Sequence, residues 1–365
     1  MEEIVHFRND GAIKYSYRRD GTSFERECQH LFAAYERLSN NCKIPLSISS
    51  EGGKQLSFYP VQNNELIVYL SEKQYHADAI LSLLKSHSTM LSSFLGSFSR
   101  PIHIEGLHLH NIFEVPRVYA HPENNTTKQL LNELKTVVNS PLCALYTQNM
   151  IVLATDEYWK MSKRDLHAVD LLVRHCESPF TDQVFIRENG RTDRVIVFLV
   201  QGTMRFVTIG TGGFNSVQAA TTLLPAALHK RIDFLKSIEA APDVIAQQLG
   251  LLAWVIVDAA TPRFFGFVPP ELENKFINLV CKCNEIADKS RITDMSLLLE
   301  ENRFFYMPKV KVKKTFYYDM PHVWDIYFIH NMKKDEAELR KFSMETMLNL
   351  VQFLRPVNVY VSENK

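Results

Sequence analysis

The 365 residues of this chain carry no recognisable catalytic signature. There is no Gly-x-x-x-x-Gly-Lys-[Ser/Thr] loop, no completed Gly-x-Gly-x-x-Gly spacing and no Cys-x-x-Cys pair. A nucleotide cradle, a dinucleotide cofactor and a zinc knuckle therefore lose their usual sequence support, and no cofactor is expected. Charge of one sign is lacking too. Lys plus Arg is 41 and Asp plus Glu is 41, so the formal net charge is zero. This removes the electrostatic reason to expect a nucleic-acid partner. Long apolar runs are missing: Val195–Val200 and Leu249–Val257 fall short of the ~20 residues a spanning helix needs. The acidic start Met1-Glu2-Glu3-Ile4-Val5 has no basic segment and no apolar stretch of a secretory signal, so a cytoplasmic protein is expected. Six cysteines are sparse for this length and are expected as buried free thiols. The sequons at Asn124 and Asn125 carry little weight without secretion. What is present is ordinary globular material, 46% hydrophobic and 22% charged.

The informative feature is an order of elements that recurs three times. Residues 2–7 and 12–17 are strand-like and meet at Asn9-Asp10-Gly11, a hairpin signal. Thr22 and Glu25 have capping-box spacing, and Phe24, Cys28, Leu31, Phe32, Tyr35 and Leu38 then share one helical face. Strand-like runs at 44–50, 55–61 and 65–70 follow, then a helix over 74–98. The second reading begins after a connecting helix at 127–139. It has strands at 142–147 and 150–155, a helix opened by Ser162-x-x-Asp165, strands at 183–186, 194–200 and 205–210, and a helix over 214–238 that Pro225 should kink. The third has strands at 252–258 and 263–268 and a helix started by Pro270. Strands at 303–307, 312–318 and 323–329 and a helix over 335–354 complete it. Each pass reads β-β-α-β-β-β-α. The expected fold is therefore α+β: three tandem domains, each a five-stranded, mainly antiparallel sheet with flanking helices. Their bounds are 1–110, 111–240 with the connecting helix, and 241–365. Apolar residues at successive positions in 67–68 and 195–200 predict inner strands covered on both faces.

That element order is similar to the longin and roadblock domains, and three in one chain resembles the tri-longin family, which includes the Fuzzy–Inturned, Mon–Ccz and Hermansky–Pudlak pairs. Ile151-Val152-Leu153-Ala154-Thr155-Asp156-Glu157-Tyr158-Trp159 resembles a stretch of the Fuzzy branch that ends a strand with Ala-Thr-Glu-Gly-Trp-Trp; here the Gly is replaced and Tyr158 stands for the first Trp. The Ser162-x-x-Asp165 cap and the helix after it extend the match. Leu251–Val268, with Phe264-Phe265-Gly266-Phe267-Val268, resembles the opening of that branch's third domain, and Asn64–Glu72 the strand before the long helix of its first. Residues 96–126 and 291–315 match nothing. The resemblance implies a non-catalytic subunit of a heterodimer that binds and activates a Rab-type small GTPase. It also implies an Inturned-like partner and work in planar cell polarity, ciliogenesis and vesicle trafficking. The first domains of the two partners would pair and form the GTPase platform.

Candidate residues follow, each with a plainer alternative. The helix carrying Phe24, Leu31 and Tyr35, with the strand beside it, is the candidate partner surface of the first domain. Tyr158 and Trp159 follow a strand and serve either as core packing or as aromatic anchors for a partner. Lys309, Lys311, Lys313 and Lys314 either protect an edge strand from aggregation or contact anionic lipid headgroups, with Arg303, Lys333 and Lys334 available to extend the patch. His103, His108 and His110 have H-x4-H-x-H spacing, and strand alternation would put the last two on one face. A satisfied structural role is the simpler account, and no metal site is expected. His167, Asp170 and Cys176 are read as the solvated side of a helix rather than a hydrolase cluster. Cys281 and Cys283 lie two apart on a helix and point apart. Gly210-Thr211-Gly212-Gly213 is a strand-to-helix turn.

Overall fold

The computed structural model describes residues 2–18, 25–39, 44–49, 53–61, 64–71, 75–95, 107–118, 125–147, 150–176, 180–201, 204–210, 250–289, 294–299, 302–312, 322–330 and 336–353. The fold is α+β and holds three antiparallel sheets in tandem. In the first, β1 (Glu2–Phe7) and β2 (Ile13–Arg18) form a hairpin. Arg8 N–H donates to Ala12 O at 2.8 Å, and Gly11 takes the positive φ of 78° that closes the turn. Helix α1 (Glu25–Leu38) comes next, then β3 (Leu46–Ser49), β4 (Gln55–Pro60) and β5 (Leu66–Ser71). The sheet order is β2-β1-β5-β4-β3. The capping-box residue Thr22 lies outside the described residues.

Helix α2 (Ala77–Ser93) buries Ile80, Leu83 and Leu84. It was expected to run to residue 98. Instead it stops at Ser93, and β6 (Phe94–Leu95) pairs with a strand of the second sheet. After α3 (Leu109–Phe113) and α4 (Asn125–Val138) come β7 (Leu142–Thr147), β8 (Met150–Ala154), the one-turn α5 (Asp156–Trp159) and α6 (Lys163–Arg174). Strands β9 (Phe180–Ile186), β10 (Thr192–Gln201) and β11 (Met204–Gly210) finish this sheet, in the order β6-β9-β10-β11-β7-β8. The helix expected over 214–238, with Pro225, falls outside the described residues.

The third sheet uses β12 (Leu251–Asp258), β13 (Arg263–Phe267), β14 (Met295–Leu299), β15 (Asn302–Val312) and β16 (His322–His330). In chain order, helix α7 (Pro270–Lys289) follows β13 and helix α8 (Glu336–Phe353) follows β16. Its order is β13-β12-β16-β15-β14. Setting β6 aside and counting strands within each pass, all three sheets have the order 2-1-5-4-3. Leu66–Tyr69 and Val195–Phe198 are buried at successive positions, as expected of inner strands, but Leu199, also expected to be covered, is 39% exposed.

Two strands of the third sheet depart from the sequence reading. Residues 303–307 and 312–318 were expected as separate strands; the first continues without a break as one strand over 302–312, and 313–318 lie outside the described residues. The pattern breaks at Pro308-Lys309, where Lys309 adopts φ 51° and the register with β16 shifts between Met307 and Val310. Asp325 holds this bulge by accepting from Lys309 N–H at 2.8 Å. The strand Met295–Leu299 was not foreseen.

The described residues segregate into two compact units. One comprises 1–92, 96–114 and 274–282; the other holds 93–95, 115–273 and 283–365. In the first unit, Val5, Phe7, Tyr35, Phe58, Leu66 and Val68 form a core cluster, with Ile13, Leu31, Phe32, Leu46 and Leu56 packed against it. In the second unit the second and third sheets are joined by residues 115–118. Arg117 pairs with Phe264 of β13, and Val118 pairs with Ile151 of β8, both in parallel sense. Among the described residues, no helix is long and apolar enough to cross a membrane.

Candidate partner interface

The candidate surface of the first sheet begins with α1. Its apolar positions recur at helical spacing, so one stripe faces the sheet. Leu31, Phe32 and Tyr35 fill that stripe and pack against Phe7, Phe58 and their neighbours. The Tyr35 and Phe58 rings lie 5.4 Å apart. Tyr35 is buried, and its hydroxyl donates to Ile44 O at 2.9 Å. Burial pushes its phenol above the ordinary value. Leu31 and Tyr35 thus spend their side chains within the chain, and Phe24 lies outside the described residues.

The same corner nonetheless presents apolar surface. Leu38, one turn beyond Tyr35, is 52% exposed; Ile44 is 52% and Ile48 38% exposed. Ile48 pairs with Leu56 of β4, two residues along from the Leu46–Phe58 pair, so strand alternation puts it on the face that α1 covers. The Tyr35–Ile44 bond ties the last turns of α1 to the start of β3. Among the described residues β3 has one strand neighbour, β4, and is an open edge. Three exposed aliphatic side chains beside an open strand edge form a surface suited to burial against another protein. Leu38 was expected on the inward face. It falls beyond the end of the core cluster, where the helix ends.

Tyr158 and Trp159 sit in α5 rather than in a loop. Thr155 caps that turn, its Oγ1 accepting from Tyr158 N–H at 3.4 Å. Tyr158 is fully buried, and its hydroxyl lies 2.9 Å from that of Tyr146 on β7. Burial drives both phenols well up. Asp170 lies close enough to both to add to this rise, and it forms a 2.7 Å ion pair with Arg174 Nε one helical turn on. Burial pushes the Asp170 carboxyl up, against the opposing pull of Arg174. Trp159 stacks under the guanidinium of Arg263, which lies 5.6 Å from its ring centroid and 5.1 Å from that of Phe265. Arg263 itself is buried and lies 3.6 Å from Asp258. Both aromatics are therefore enclosed, one by the second sheet and the other against β13 of the third.

Residues 165–176 overturn an expectation. His167, Asp170 and Cys176 were read as the solvated side of a helix, but α6 is enclosed and all three are buried, as is Asp165. The buried carboxylates have partners: Arg174 for Asp170, and Glu188 N–H, at 2.9 Å from Asp165 Oδ1. The cap itself forms as read, with Ser162 Oγ accepting from Asp165 N–H at 3.1 Å. Among the described residues Cys143, Cys176, Cys281 and Cys283 form no disulfide and are buried. Burial pushes Cys143 and Cys281 up to about 12, which makes them poor nucleophiles.

His108 and His110 are not on a strand. His108 caps the short helix α3 and His110 lies within it, with ring centroids 5.5 Å apart. His103 lies outside the described residues. Among the described residues no group of three or more His, Cys, Asp or Glu could hold a metal ion. Lys309 is exposed at the β15 bulge, and Lys311 follows in the same strand. Lys313, Lys314, Lys333 and Lys334 lie outside the described residues, as does all of Gly210–Gly213 beyond the first glycine.

No protein-family model matches this chain, and no curated protein matches its sequence significantly.

The sequence reading of this candidate surface named inner residues of α1 and did not single out the exposed Ile44 and Ile48. Ile44 and Ile48 were missed because an apolar residue in a short strand reads as core by default. Only the edge position of β3 shows that they stay partly uncovered.

Proposed function

We propose that this chain is a non-catalytic subunit of a heterodimer that binds a Rab-type small GTPase and promotes its nucleotide exchange. The reading places it near the Fuzzy branch of the tri-longin proteins, with an Inturned-like partner. It would act in the cytoplasm at the ciliary base or on endomembranes, in ciliogenesis and vesicle trafficking. The observation that carries it is the threefold 2-1-5-4-3 sheet order, which agrees with the tandem longin architecture that the sequence resembles.

The chemistry is consistent with that role. Exchange requires no acid, base or nucleophile. It requires a surface that binds the GTPase more tightly when nucleotide and Mg²⁺ are gone, which shifts the GTPase toward its open state. Leu38, Ile44 and Ile48 at the β3 edge supply apolar surface for a partner in the first domain. Lys309 and Lys311 would add weak, salt-sensitive attraction to anionic lipid, about 1 kcal/mol each.

The test is purification of the tagged chain with its bound partner, followed by release of fluorescent GDP from a panel of Rab GTPases. Acceleration for one Rab supports the reading. A longin-fold partner without acceleration of any Rab would reduce the chain to a trafficking adaptor. Recovery of a Mon–Ccz or Hermansky–Pudlak type partner would move it to a sister complex.

A further inference from the structure

Strand edges are exposed pairing templates, and proteins commonly cover them with a loop. Among the described residues β8 is the edge of the second sheet and β13 the edge of the third. Both are strand 2 of their own sheet, and one short segment closes both. Ile151 N–H of β8 donates to Arg117 O at 2.9 Å. On the other side, Val118 N–H donates to Phe264 O at 2.8 Å, and Phe264 N–H donates to Pro116 O at 3.0 Å. Val115, Pro116 and Val118 are buried in the slot.

A side chain locks this arrangement. The Arg117 guanidinium donates twice to Gly266 O, from Nε at 3.1 Å and from Nη2 at 2.5 Å. Gly266 has φ 152°, and a Cβ there would sit 2.3 Å from Trp254 O, so this point of β13 tolerates only glycine. Charge-assisted bonds of this kind are stronger than neutral ones. They fix the strap where, among the described residues, it makes one bridge to each sheet.

We propose that Val115–Val118 is an intramolecular edge guard, keyed by Arg117, that seals β8 and β13 against strand pairing with a second copy of this chain. Two consequences follow when the key is removed. Protection is lost locally at both edges, and the freed edges pair between molecules.

The test is hydrogen exchange and light scattering on the full chain carrying Arg117→Ala or Val118→Pro. The second substitution deletes the N–H that Phe264 O accepts. In both variants the amides of Ile151 and Phe264 should exchange at least about tenfold faster, equivalent to ~1.4 kcal/mol. Val197, Val207, Ile326 and Phe328 should keep their protection, and the mean mass in solution should rise with concentration. Arg117→Lys should fall between wild type and Arg117→Ala. Unchanged exchange at Ile151 and Phe264 overturns the proposal. Uniform acceleration across both sheets overturns it as well, because residues 115–118 would then be ordinary core. Local release in a chain that stays monomeric overturns the guarding role.

Discussion

Replacing Leu38, Ile44 and Ile48 with serine should abolish partner binding while leaving the fold intact. Exposures of 52%, 52% and 38% leave roughly half of each side chain for a partner to cover. Full burial of such a side chain is worth ~1.5–3 kcal/mol, so the uncovered half is worth about 1 kcal/mol each. The triple variant then loses about 3 kcal/mol, close to 100-fold in Kd. The covered half of each side chain contributes about as much to the chain's own stability, so the triple variant should unfold at a lower temperature yet still fold. The assay compares the amount of partner retained by wild-type and triple-variant chains at equal bait concentration, with thermal unfolding of each. Leu31→Ser is the contrast: Leu31 packs against the core cluster, so it should lower the melting temperature. Undiminished partner retention by the triple variant would refute the placement of the interface. Failure of the triple variant to fold would refute the claim that the corner is largely uncovered.

Gly266→Ala should destabilise the third sheet by about 2–5 kcal/mol, since its Cβ meets backbone at β12; urea unfolding followed by tryptophan fluorescence measures it. The thiols of Cys143 and Cys281, pushed up to about 12, should resist alkylation at neutral pH until the chain is unfolded, as intact mass would show. His6 is buried 2.7 Å from Glu65 Oε2, and burial lowers its pKa below 6.5 despite the attraction of Glu65. Below 6.5 the unfolded chain takes up a proton that the folded chain resists, so stability falls as pH drops from that value toward the lowered one. His6→Gln should therefore show a smaller fall in melting temperature between pH ~7 and ~5.

Much of the architecture was legible because local signals agreed. The Asp10-Gly11 turn, the Ser162 cap and Pro270 at a helix start each mark an element boundary that the structure reproduces. Failures came where tertiary context outweighed local pattern. Pro308 reads as a strand break, yet Asp325 from the neighbouring strand accepts the Lys309 N–H and carries β15 through a bulge. Phe94 and Leu95 continue a helical stripe in sequence, but β9 draws them into a sheet, with Phe94 against Phe185 at 5.2 Å. Asp170 reads as solvent-facing until the Arg174 partner and the enclosure of α6 are seen. The candidate interface was legible only as a region. Which apolar residues stay uncovered depends on where α1 ends and on β3 being an edge, and neither is encoded in periodicity.

Mass spectrometry of the proteins that copurify with the tagged chain tests the central claim most directly. A heterodimeric tri-longin reading predicts a stoichiometric second longin-fold protein together with a small GTPase, and loss of that second protein from the Leu38/Ile44/Ile48 serine variant. A lone chain that recovers neither would contradict it.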